Sequence, residues 1–123
     1  MLAKRPLMGM PLTYALCTTE KEVMDFFRRF GIKTGIEQML NDGCNATTHF
    51  YTKDGKYFVA VYFPIRDDIH WTQAAGLLVH EAVHVFQLVC KSIGETDPSC
   101  EFEAYAIQGI SQELLEIYER KVT

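Results

Sequence analysis

Long hydrophobic runs are missing from this chain of 123 residues. No uninterrupted apolar stretch reaches the roughly 18 residues that a membrane-spanning helix needs, so no membrane partner is expected. The Met1 to Cys17 segment carries Lys4 and Arg5, but Pro6 and Pro11 interrupt any signal-peptide core, and a soluble, cytoplasmic protein is expected. Blocks of like charge are also absent. Twelve Lys and Arg stand against 16 Asp and Glu, for a formal net charge of -4, and that balance offers no electrostatic footprint for nucleic acid. Cys17, Cys44, Cys90 and Cys100 fall in no C-x-x-C pair, so reduced thiols are expected, and the Asn45-Ala46-Thr47 sequon then carries no meaning. Glycine and proline are sparse, at eight and four residues, which excludes fibrous and low-complexity classes.

What is present is a core. Hydrophobic residues make up 48% of the chain and aromatics 12%, enough for one folded domain over residues 1–123 and too short for two ordinary ones. Thr19 and Glu22 form a capping box, and Val23, Phe26, Phe27 and Phe30 recur at helical spacing until Gly31, which predicts a first helix. A short helical turn is expected over residues 34–40, before the Asn41-Asp42-Gly43 breaker. Thr47 to Thr52, the turn Lys53-Asp54-Gly55-Lys56 and the apolar run Tyr57 to Phe63 predict a hairpin whose second strand is buried on both faces. A helix from about Thr72 to Ser92 should end at Gly94, and a last one should start with Asp97 as N-cap and Pro98 as first residue and run to about Arg120. The order helix, hairpin, helix, helix makes an α+β domain with a small antiparallel sheet.

Within the third of these helices lies His80-Glu81-Ala82-Val83-His84, the H-E-x-x-H pattern. Residues four apart share a helix face, so both imidazoles can reach one Zn²⁺ while Glu81 projects beside them as a general base. Leu77, Leu78, Val79, Val83, Val85 and Phe86 make the helix apolar almost all round, which predicts a buried central element. Two histidines and a glutamate there are costly without a partner. The plainer reading is that ordinary hydrogen bonds satisfy the two histidines and that the pattern arises by chance.

A zinc site needs a third protein ligand. The extension that would supply a third histidine is closed, because Gln87 and Cys90 stand where glycine and histidine would be. The last helix offers Glu101, Glu103, Glu113, Glu116 and Glu119. At about 100° per residue, Glu103 falls on the centre of the stripe formed by Ile107, Ile110, Leu114 and Ile117, whereas Glu101 falls on the polar face and Glu113 is marginal. Glu103 is therefore expected to point into the core, where a cation between His80, His84 and Glu103 would remove the penalty of a buried charge. The competing account pairs Glu103 with Lys21, Arg28, Arg29 or Lys33.

With His80 and Glu81, then His84, then 18 residues, then Glu103 and Ala106, the last fifty or so residues resemble the gluzincins, zinc metallopeptidases defined by HExxH and a glutamate on the following helix. The chain is most similar to minimal single-domain gluzincins and, more loosely, to the ImmA/IrrE family of phages and bacteria. It departs from the latter at Glu103-Ala104-Tyr105-Ala106-Ile107-Gln108, which puts repressor cleavage in doubt. The resemblance implies a zincin-like domain, bound Zn²⁺, hydrolysis of a peptide or protein substrate, and a substrate-pairing strand at Tyr57 to Phe63. For an oxyanion donor the sequence offers Tyr105, Tyr62 and His70, while His49 reads as an ordinary strand residue and Cys100 as a small buried hydrophobe or a metal-adjacent thiol. Met1, Met8, Met10 and Trp71 read as packing residues. A shallow cleft in so small a protein implies narrow activity or control by a regulatory protein partner. The alternatives are a silent zincin scaffold with a retained metal site, or an interaction module.

Overall fold

The computed structural model describes residues 12–123, so Lys4, Arg5, Pro6, Pro11 and the Met1, Met8, Met10 cluster lie outside it. The chain runs β1 (Leu12–Cys17), α1 (Glu20–Arg29), β2 (Thr47–Lys53), β3 (Lys56–Tyr62), α2 (Trp71–Ile93) and α3 (Cys100–Val122). Helices and a small sheet in one chain make it α+β, as the patterning implies. The sheet is mixed, not antiparallel. Its order is β1-β3-β2, with β1 parallel to β3 and β2 antiparallel to it.

Strand β1 is the element that sequence patterning does not predict. Leu12, Tyr14, Ala15, Leu16 and Cys17 are all buried, so this strand is apolar on both faces and shows no period-2 alternation. Its pairing makes β3 the central strand. That corrects the expectation that Tyr57 to Phe63 pairs with an extended substrate, because both edges of β3 are already taken; among the described residues the sheet's edge strands are β1 and β2. The hairpin turn is as read: Asp54 and Gly55 have φ of 53° and 76°, the two left-handed positions of a type I′ turn.

Two side-chain layers cover the sheet. On one face Ala15, Cys17, Phe58, Ala60 and Tyr62 pack against Val23, Phe26 and Phe27 of α1. On the other, Leu12, Tyr14, Leu16, Val59, Val61 and Phe63 pack against α2 and α3 through Leu78, Ala82, Val85, Ile110 and Leu114. Burying each of the Leu, Val, Ile and Phe side chains contributes about 1.5–3 kcal/mol, and this face fixes α2 against the sheet. Helix α2 is the one helix among the described residues that is long and apolar enough to cross a membrane by length and composition. Here it is a core helix, packed against the sheet and α3, and its middle carries His80, Glu81 and His84.

The helix ends differ in detail from expectation. The Thr19 hydroxyl accepts from the Glu22 amide, completing the predicted cap of α1. No helix forms over residues 34–40. Helix α3 starts later than predicted: Ser99, not Asp97, is the N-cap, its hydroxyl accepting from the Phe102 amide, and Pro98 precedes the helix. Helix α2 ends as expected at Gly94, whose φ of 71° suits a residue without Cβ.

Candidate metal centre

The site is built by one turn of α2 set against β2. Because Leu78, Ala82, Val85 and Val89 hold α2 to the core, the opposite face presents His80, His84, Gln87 and Lys91 to a cleft of roughly 450 Å³. Asn41, Cys44, Ala46, Thr47, Thr48 and Phe50 form the far wall. The two imidazoles meet edge to face, with ring centroids 4.9 Å apart.

Their Nε2 atoms lie 3.2 Å from each other. A tetrahedral cation holding two imidazole nitrogens at about 2.1 Å would separate them by about 3.4 Å. The pair is thus spaced as two ligands of one metal ion would be. His84 Nδ1 stands 3.2 Å from Gln87 Oε1, a contact in which Nδ1–H donates and the Nε2 lone pair is left facing His80 Nε2.

Glu81 completes the group. Its side chain, His80 and His84 together form the cluster of metal-capable ligand atoms among the described residues, all within 4.8 Å of one another. Unlike the histidines, Glu81 is only 4% exposed. Its Oε1 accepts from the Thr48 hydroxyl at 2.7 Å, and its Oε2 lies 3.9 Å from His80 Nε2.

Glu103 stands elsewhere. It is exposed in the first turn of α3, outside the cluster and off the lining of the cleft. The expectation of an inward Glu103 is overturned for a local reason. The buried stripe of α3 holds at Ala106, Ile110, Leu114 and Ile117, but in the first turn Phe102 makes the contact with α2, its ring 5.6 Å from that of Phe86. Glu103 stands to the side of that contact. Burial chiefly, then the charges of Glu95 and Glu103, raise the Cys90 thiol above its ordinary pKa. The buried carboxylate of the site is Glu81, and the Thr48 hydroxyl partners it.

The other candidates sort cleanly. Glu101 is exposed, as the helical wheel predicts. Glu113 is half-buried and faces the sheet: burial first, then the charge of Glu113, push the Tyr14 phenol well above its usual range. None of the expected oxyanion donors lines the cleft. Tyr105 points away, 69% exposed, Tyr62 is buried beneath α1, and His70 caps α2, its Nδ1 accepting from the Thr72 amide. His49 is tied by Nε2 to the Met39 carbonyl at 2.7 Å, an ordinary structural role. Cys100 is exposed, not buried, and none of the four cysteines forms a disulfide.

Sequence reasoning missed Thr48 and Gln87. Gln87 stands three residues after His84, a helical spacing that identifies a side-chain partner; Thr48 is 33 residues from Glu81 and carries no local signal. No known protein family, curated protein or solved structure matches the chain.

Proposed function

We propose that the protein is a zinc-dependent peptide hydrolase in which His80 and His84 hold the metal and Glu81 is the general base. The observation that carries this reading is the convergence of the two Nε2 atoms at 3.2 Å beside a carboxylate that is 4% exposed. Zinc bound there would supply Lewis-acid polarisation of a carbonyl and would make a water acidic enough to give up its proton near neutral pH. Glu81 takes that proton and passes it to the leaving amine nitrogen. Thr47, Thr48 and Phe50 of β2, an edge strand of the sheet, form part of the opposite wall, and an edge strand suits an extended peptide, which can add to it through main-chain hydrogen bonds.

Glu103 enters as third ligand by the resemblance to gluzincins. It does not rest on the geometry: Glu103 is exposed and outside the cluster, and Phe86, against which Phe102 packs, lies about 160° round α2 from His84. The second reading is a metal site without turnover, and the placement of Glu103 outside the cluster favours it. A peptide-library cleavage assay on zinc-loaded protein separates the two. The hydrolase reading expects cleavage that falls about 10²–10⁴-fold in Glu81→Gln with zinc retained; stoichiometric zinc without Glu81-dependent cleavage supports the silent scaffold.

A further inference from the structure

We infer that Thr48 is a positioning residue for Glu81, fixing Oε1 so that Oε2 is the oxygen that exchanges the proton. The inference rests on the hydrolase reading of the site and deepens it. A glutamate side chain has several rotatable bonds, and a base must hold one carboxylate oxygen within hydrogen-bond reach of the proton it takes. The α2 backbone places the Glu81 Cα but not the carboxylate.

The carboxylate is placed from across the cleft. The Thr48 hydroxyl has one proton, and at 2.7 Å it is spent on Oε1. Such a charge-assisted bond is roughly twice as strong as a neutral one. It ties Oε1 to the β2 wall and leaves Oε2 on the side of His80, 3.9 Å from Nε2. In the proton step one O–H bond of the attacking water breaks and Oε2–H forms as the water oxygen bonds to the carbonyl carbon; the proton then moves to the amide nitrogen as the C–N bond breaks, leaving a carboxylic acid and an amine. Thr48 neither gains nor loses a proton. Since Thr48 belongs to the edge strand, one element both lines the peptide cleft and aims the base.

A purely structural threonine would only satisfy a buried carboxylate, and its loss would be felt in stability alone. The test uses zinc-loaded Thr48→Val and Thr48→Ser proteins, with acetohydroxamate as probe because its polar hydrogens report on a carboxylate beside the metal. Both variants should keep wild-type zinc stoichiometry. Thr48→Val should bind acetohydroxamate about tenfold more weakly and lose a similar factor in kcat with KM unchanged. Thr48→Ser, which keeps the hydroxyl, should restore both. In a Glu81→Gln background, Thr48→Val should add little further weakening, because coupled residues act as one unit. Should valine prevent folding, Thr48→Ala carries the same comparison. Equal acetohydroxamate affinity in wild type and Thr48→Val, or a serine variant as weak as the valine one, overturns the positioning role alone. Absence of stoichiometric zinc in the wild-type protein overturns the hydrolase reading and this role together.

Discussion

His80 and His84 sit on the exposed face of a helix whose other face is the core, and this division decides what each substitution does. Replacing either imidazole removes a ligand without opening a cavity. We expect His80→Ala and His84→Ala to fold with little change in melting temperature while losing stoichiometric zinc, as elemental analysis of protein equilibrated with zinc and desalted would show. Glu103→Gln tests the ligand that the sequence places and the structure leaves outside the cluster. If Glu103 closes onto the cation, zinc affinity falls by at least about tenfold in a competition titration with a chelator; an unchanged affinity removes Glu103 from the site. The HExxH spacing was legible because a helix converts i, i+4 into a shared face. The misplacement of Glu103 shows where that logic ends, since a helical wheel gives an angle but not what covers it, and the first turn of α3 has Phe102 rather than Glu103 against its neighbour.

At the level of elements, the α1 cap, the hairpin turn and the stop of α2 were the most readable features, because each needs only a few adjacent residues, whereas the N-cap of α3 fell at Ser99 and not at the expected Asp97. Thr19 with Glu22, Asp54 with Gly55, and Gly94 all stand where local chemistry puts them. Gly94 adopts a φ of 71°, and nothing lies within 4 Å of the point a Cβ would occupy, so Gly94→Ala meets no clash and feels only backbone strain. We expect it to cost about 1 kcal/mol in chemical denaturation, with zinc binding unchanged. Strand β1 was unreadable for the complementary reason. Its role is defined by its partner, the register Leu12 with Tyr57 through Cys17 with Tyr62, which no local window contains. The same non-locality hid Thr48. For β2, the free edge makes a further expectation: a proline at a position whose amide faces outward should impair peptide capture more than it impairs folding.

Across the whole molecule, the chain ends of the described fold are tied by Lys121 of α3, whose ammonium donates to Glu22 Oε1 at 2.7 Å at the start of α1. Burial alone would raise the Glu22 pKa, but the hydrogen bonds from Lys121 and Thr18 outweigh it and hold the carboxyl down at about 2. A depressed carboxyl stabilises the fold above its unfolded pKa, near 4.5, and that contribution is lost as pH falls toward 2. Acid unfolding should therefore show a component between about pH 4.5 and 2 that Glu22→Gln removes; with Glu22 partly exposed, its worth is about 0.5–1 kcal/mol. The opposite pull acts on Cys17 nearby, where burial chiefly raises the thiol to about 11 and keeps it protonated at neutral pH. Two faces of one sheet thus divide the labour: α1 and the Lys121 tie close one side, while α2 and α3 cover the other and leave the histidine face open to the cleft.

The metal centre stands or falls on one cation being held between the Nε2 atoms of His80 and His84. X-ray absorption at the zinc edge of the loaded protein decides it. We expect a first shell with two imidazole nitrogens at about 2.0–2.1 Å and the remainder oxygen. A shell dominated by sulfur at about 2.3 Å, or protein that retains no zinc, would overturn it.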